Sequence, residues 1–353
     1  MTDFRASIRA YESWMRAQLG DAFVAGDLKE KHKVMRKELF SFLRGTCWRW
    51  AETAPAICPE LMDAPPVASV VDAHVANFGL WRDAEARLVW GINDYDEACV
   101  TPWPLDLVRL TASALIAGGA GGRGARATAA AVLDGYREGL ARPRASVLEL
   151  DRLWLRDLFA VSDQKREEFW ADLLAAKRRK PPPPAPFAAA LSAALPEPGL
   201  APRIAPRQAG VGSLGRLRLV ASLDDYRGGP LAREAKAVLP SCWDRDAAPG
   251  ALYALAFGHY RSPDPWLRPL GEVVVRRLGA NSRKLDLADH GPAVRRRVLS
   301  AMATDIASIH AADSGRIAAV REDFAGRAAN WLRDAAVAVA EATTRDWKAY
   351  RSK

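Results

Sequence analysis

Apolar positions recur at three- and four-residue spacing through residues 3–19 and 28–50, which predicts two amphipathic helices. The second is basic and ends in SFLRGTCWRWAE, where Arg44-Gly45 interrupts an aromatic-rich face. After a proline-broken loop at 54–66 the period shortens, and 67–71 and 87–92 read as short strands. Trp103-Pro104-Leu105-Asp106 opens a helix, LDLVRLTASALIAG, with proline at its start and the glycine cluster 118–124 closing it. Helical patterns resume at 125–141 and 147–176. The run KRRK against four consecutive prolines then predicts an extended connector over 174–206, with one short helix at 187–195. Beyond it, strands are predicted at 216–222, 231–239 and 271–278, with a helix near 249–260 between the last two and a helical tail over 292–349. The chain thus reads as α+β. A helical part over 1–173 is followed by the connector 174–206, a small antiparallel sheet part over 207–290, and helices over 291–353 that return to the first part.

Composition changes this picture little. With 353 residues, 49% of them hydrophobic and 26% charged, the chain is long enough for two lobes with a sizeable core. A net charge of +9 suits an anionic ligand such as a nucleotide, and arginine is scattered with no dominant run, so nucleic acid is set aside as a lesser alternative. The four cysteines, Cys47, Cys58, Cys99 and Cys242, form no C-x-x-C pair and predict neither a zinc site nor a disulfide framework. The N-terminal segment has no uninterrupted apolar core, and nowhere do eighteen apolar residues run together. The expectation is a cytoplasmic protein with no membrane span.

The candidate chemistry lies in VVDAHVANFGLWRDAEARLVWGINDYDE, residues 70–97. Asp72, His74 and Asn77 fall in one turn-rich segment at the end of a predicted strand, and Asn93, Asp94 and Asp96 follow the next. Metal-assisted phosphoryl transfer needs this set: one carboxylate to accept the proton of an attacking hydroxyl, and an amide and a second carboxylate to hold Mg²⁺ against nucleotide phosphates. Asp72 and Asn77 also suit turn residues bonded to their own backbone, and Asp106 suits an ordinary first-turn helix position. Gly210-Val211-Gly212-Ser213-Leu214-Gly215 is a G-x-G-x-x-G followed by the alternating strand RLRLV rather than by a helix. That order fits a glycine loop laid over phosphates better than a dinucleotide-binding turn. On the next strand Arg233 and Lys236 are the candidate phosphate-contacting cations, and Arg276 on the last strand joins them.

The series FLRGT, DAHVANFG, NDYDEA, WPLDLVRLTAS, GVGSLG, REAKA and TDIASIHAAD resembles the motif series of a bacterial family called domain of unknown function 2252. That family is in turn similar to the protein-kinase-like and aminoglycoside-phosphotransferase superfamily. The resemblance implies a two-lobed kinase-like fold in which Asp72 is the catalytic base, with His74 beside it, and Asn77, Asp94 and Asp96 hold Mg²⁺. Gly210, Gly212, Ser213, Gly215, Lys236 or Arg233, and Arg276 would bind ATP, and Asp106 would brace the catalytic loop. The catalytic and metal loops come first in this chain, while the glycine loop, Lys236 and the helix ending in His310 come last. The resemblance therefore implies a circular permutation. Val71 stands where the wider superfamily has Gly or Arg, and no glutamate lies in 249–260 to pair with the strand cation. The implied function is an ATP- and Mg²⁺-dependent phosphotransferase acting on a small molecule or peptide. A nucleotide-binding pseudokinase scaffold and a basic nucleic-acid-binding protein are the alternatives, and the oligomeric state stays open.

Overall fold

The computed structural model describes residues 3–118, 122–281 and 287–352. In chain order the helices and strands are α1 (Phe4–Leu19), α2 (Ala25–Lys37), α3 (Leu39–Gly45), α4 (Cys47–Ile57), β1 (Pro66–Ser69), β2 (Phe78–Arg82), β3 (Leu88–Ile92) and β4 (Cys99–Pro102). These are followed by α5 (Pro104–Gly118), α6 (Gly122–Ala141), β5 (Ser146–Val147), α7 (Leu153–Leu158), α8 (Asp163–Ala175), α9 (Ala185–Ala193), β6 (Arg203–Pro206) and β7 (Arg218–Leu223). The chain closes with β8 (Leu231–Ala237), β9 (Arg268–Leu270), β10 (Val273–Arg277), α10 (Pro292–His310), α11 (Ile317–Gly326) and α12 (Trp331–Arg351). The class is α+β. Its sheets are small and antiparallel: β1 with β4, β2-β3-β5, and a five-stranded sheet in the order β6-β7-β8-β10-β9.

The helix α5 is apolar nearly all round, and it is buried from Pro104 to Leu115 at the centre of the larger core. It packs on α12 and α6, and α6 packs closely on α10. Two glycines set that approach: a Cβ at Gly139 would lie 2.6 Å from the Thr304 carbonyl oxygen, and one at Gly135 would overlap the Ser300 carbonyl. A second, smaller core lies under the five-stranded sheet, where Phe187, Ala190 and Leu191 of α9 pack against Ala235, Ala237, Val273 and Val275.

Several sequence expectations are corrected. The helix expected over 28–50 breaks twice, at Glu38, whose backbone is extended, and at Thr46, whose hydroxyl bonds back to the Phe42 carbonyl at 2.7 Å. Arg44, just before the second break, lines the cleft described below. The helix expected over 147–176 is two helices, the second begun by Ser162, whose Oγ accepts the Lys165 N–H. Only a 3₁₀ turn, Tyr253–Phe257, forms where a helix was expected near 249–260, because Pro249-Gly250 and Gly258 punctuate the segment. The connector is not unpacked throughout, since α9 covers the sheet and β6 is its edge strand. The strands β2 and β4 were not foreseen. The middle of the glycine cluster at 118–124 lies outside the described residues.

Candidate functional site

The segment from Val70 to Asn77 leaves β1 under tight control. Val71, a β-branched residue, has φ +67°, a left-handed conformation costing about 1–3 kcal/mol. The carboxylate of Asp106 offsets that cost, accepting the N–H of Val70 at 2.8 Å and that of Val71 at 2.7 Å. His310 Nε2 lies 3.2 Å from Asp106 Oδ2, and Tyr136 Oη lies 2.9 Å from His310 Nδ1, all within the core. One helical turn on, Arg109 donates to Asp72 Oδ1 through Nη2 at 2.9 Å and Nε at 3.2 Å, and Ser113 Oγ accepts the Val75 N–H at 3.0 Å. Asp106, Arg109 and Ser113 stand at i, i+3 and i+7, so one polar stripe on α5 holds the whole segment.

This leaves Asp72 Oδ2 on the cleft side, 3.6 Å from His74 Nε2. His74 Nδ1 accepts the Ala76 N–H at 3.1 Å, which puts the proton of the neutral ring on Nε2, facing Asp72. Burial raises the Asp72 pKa above the ordinary carboxylate value, against the opposing pull of Arg109. Asn77 Nδ2 donates to the carbonyl oxygens of Asp72 and Asp94, each at 3.1 Å. Both partners are acceptors, so the orientation of the amide is fixed. Its Oδ1 is buried with no hydrogen-bond partner among the described residues.

A second buried carboxylate braces the other loop. Asp305 of α10 accepts the Ile92 N–H at 2.8 Å and Arg261 Nη1 at 2.5 Å, while Arg261 Nη2 donates to the Ile92 carbonyl at 2.9 Å. Gly91 permits this approach, because a Cβ there would lie 2.6 Å from the Asp305 carboxylate. Just beyond, Lys236 Nζ reaches both oxygens of Asp94 at 3.1 Å and Asp96 Oδ2 at 2.7 Å. Asp96 also accepts from Arg216 Nη1 at 3.2 Å and from the Tyr253 hydroxyl at 3.3 Å. Burial, reinforced by Asp94, raises the Asp96 pKa.

Alternation along β8 sorts its charges. Glu234 and Lys236 share the face toward the cleft, where the buried Glu234 carboxylate meets Arg207, Arg218 at 2.5 Å and Arg276 at 2.8 Å. Burial alone would raise its pKa, yet the guanidinium groups of Arg276, Arg218 and Arg207 hold it far below the ordinary range. Arg233 faces the other way, donating to the Ala194 carbonyl at 2.9 Å and lying 4.2 Å over the Trp266 ring.

The glycine segment bridges β6 and β7. Gly210 has φ +71°, and Ser213 Oγ accepts Arg218 Nη2 at 2.7 Å. A Cβ at Gly212 would lie 3.0 Å from the Arg44 carbonyl oxygen, so the segment rests on the end of α3. Asp72, Asn77, Asp94, Gly210, Gly212 and Ser213 line one cavity of about 670 Å³.

The model of a family described as "Uncharacterized protein conserved in bacteria (DUF2252)" matches residues 24–182. Over these residues the chain is similar to the DUF2252 family. No curated protein and no solved structure matches the chain. The DUF2252 match takes in Arg44, Asp72, His74, Asn77, Asp94, Asp96 and Asp106, and ends before Gly210, Lys236 and His310.

Of the site residues expected from the sequence, the cavity brings together Asp72, His74, Asn77, Asp94, Asp96, Gly210, Gly212, Ser213 and Arg276, with Lys236 bonded to Asp94 from behind. Two expectations are corrected. Arg233 is excluded by strand alternation, which sends it to the α9 side. Gly215, at φ +99°, packs against Met15 and Leu28, where a Cβ would come within 2.9 Å of Met15 Cε, so it shapes the exit of the segment and not the cavity. Asp96 lines the cavity and is also bonded to Lys236, Arg216 and Tyr253. Sequence reasoning missed Arg109, Asp305, Glu234 and Arg218. The first had a signal, the polar i, i+3, i+7 stripe in an otherwise apolar helix.

Proposed function

We propose that the cleft binds ATP with Mg²⁺ and transfers the terminal phosphoryl group to a hydroxyl of a small molecule or peptide, on a two-lobed kinase-like architecture whose motifs are circularly permuted. One observation carries this reading. Lys236, from β8, the second strand after the glycine segment, bonds Asp94, 142 positions away, which lines a cavity together with Asp72 and Gly210. A glycine turn, a strand cation and two loop carboxylates converging on one cavity are the parts that phosphoryl transfer uses.

The oxygen set fits Mg²⁺. Asn77 Oδ1 is a buried acceptor with no partner among the described residues, Asp94 lines the same cavity, and hard oxygen ligands suit this ion. When bound, Mg²⁺ would neutralise phosphate charge there. The chain's own groups do the rest. Lys236 and Arg276 offer cations to the phosphates, with Arg276 about one-third exposed on its anchor Glu234. Asp72 is oriented by Arg109 through Oδ1, which leaves Oδ2 to accept the proton of the acceptor hydroxyl as its oxygen bonds phosphorus and ADP departs. A carboxylate whose pKa is raised by burial is the better proton acceptor for this step.

Calorimetric titration of ATP, with and without Mg²⁺, tests the proposal on the parent protein and on Asp72→Asn and Asp94→Asn. The parent should bind ATP in a Mg²⁺-dependent way. Asp72→Asn should keep that affinity within about twofold while losing turnover, and Asp94→Asn should weaken Mg²⁺-dependent binding by about tenfold or more. A folded parent protein that takes up no ATP at millimolar concentration overturns the proposal.

A further inference from the structure

Arg44 is held in an unusual position. Arg109 Nη2 donates both to the Leu43 carbonyl, at 2.8 Å, and to Asp72 Oδ1, at 2.9 Å, so the residue before Arg44 is tied directly to the proposed base. On its other side the Arg44 carbonyl supports Gly212, and Arg44 Nη2 lies 3.8 Å from the place a Cβ would take on Gly210. The side chain therefore lies beside the glycine segment within electrostatic reach of Asp72, and it lines the cavity.

Yet the guanidinium has no hydrogen-bond or ion-pair partner among the described residues, and its Nε is buried and unsatisfied. Its Cζ lies 5.9 Å from the centroid of the Phe40 ring. Burial pulls the Arg44 pKa down, and Asp72, Glu38 and Asp94 oppose that from a distance without forming a bond. Arg44 is half-buried with a buried, unsatisfied Nε, and an anionic ligand in the cavity would supply its guanidinium with acceptors. The planar fork of N–H donors matches the oxygens of a phosphoryl group.

Resting on the nucleotide reading above, we infer that Arg44 binds the terminal phosphoryl group of the nucleotide. The position dictates the ligand. In an in-line transfer the moving phosphoryl lies between the base-bound acceptor and the loop-bound donor, and Arg44 lies beside Gly210 within electrostatic reach of Asp72. A cation there meets the charge on the equatorial oxygens of the group in flight. Arg44 thus distinguishes a nucleoside triphosphate from a diphosphate.

The test compares ATP, ADP and inorganic tripolyphosphate, each with Mg²⁺, by calorimetry on the parent protein, Arg44→Gln and Arg44→Lys. Circular dichroism and the urea midpoint establish that the variants are folded. The expected result is a loss of ATP affinity of about 10- to 100-fold in Arg44→Gln, with ADP affinity unchanged within about twofold and partial retention in Arg44→Lys. If the parent binds ATP and ADP but Arg44→Gln weakens both equally or neither, the role of Arg44 is overturned while the nucleotide reading stands. If the parent binds tripolyphosphate through Arg44 but no nucleotide, the anion site stands and the nucleotide reading falls. If the parent binds none of the three, both fall.

Discussion

Asp106 accepts the N–H of Val71 at 2.7 Å, and Val71 is the residue that enters the Asp72 loop at φ +67°. A carboxylate buried in a helix thereby holds a strained backbone one residue before the proposed base. Asp106→Ala removes two acceptors from the backbone and the partner of His310 together. The expected cost is about 3 kcal/mol or more, as for other buried polar networks that lose one member. Asp106→Asn, which can still accept one N–H, should lose less. Urea unfolding measures both, and a variant within about 0.5 kcal/mol of the parent would show that the bracing is not needed.

The charge on Lys31 gives a pH dependence of known sign. Lys31 is buried in α2 with its ammonium 5.7 Å from the Tyr11 ring centroid, and burial, aided by Arg216, pushes its pKa from 10.5 down to about 8. Between those two values the unfolded chain binds the proton and the folded chain does not, so this group makes stability rise with pH from about 8 to about 10.5. Below about 8 its charged form carries a constant penalty on the order of 3 kcal/mol. Lys31→Met should therefore be more stable than the parent at pH 7, and the difference should shrink as pH rises to 10. Urea midpoints across this range decide it, and a less stable Lys31→Met at pH 7 would contradict the assignment.

Strand alternation separates the two cations that the sequence left in competition. Lys236→Met should abolish Mg²⁺-dependent ATP binding, because the residue meets Asp94 and Asp96 on the cleft face of β8. Arg233→Met should leave binding unchanged and cost on the order of 1 kcal/mol from the lost contact with Trp266 and the Ala194 carbonyl. Loss of ATP binding in Arg233→Met alone would reverse the choice.

The residues that meet at the cavity were legible where they sit at strand ends. Asp72, Asn77 and Asp94 stand in short polar breaks between apolar runs, and the structure puts all three at one cavity. The positioning groups were not legible, because Arg109 and Asp305 lie in helices and pay for burial through partners that are distant in sequence. Arg109 meets Asp72 at a separation of 37 residues, and Asp305 meets Ile92 at 213. The choice between Arg233 and Lys236 depended on which face of β8 meets the cavity. Period two says that they differ, but only the packing of α9 says which is which. The breaks at Glu38 and Thr46 were hidden for a similar reason, since helical periodicity runs through them and tertiary contacts override it.

Anomalous diffraction from crystals grown with Mn²⁺ in place of Mg²⁺, together with a non-hydrolysable ATP analogue, locates metal and triphosphate in the cleft. The expected result is a Mn²⁺ peak about 2.1–2.2 Å from Asn77 Oδ1 and from an Asp94 carboxylate oxygen, with the triphosphate beneath Gly210 to Ser213. Metal and nucleotide bound away from these residues, or no binding in crystals where the cavity is open, would contradict the proposed function.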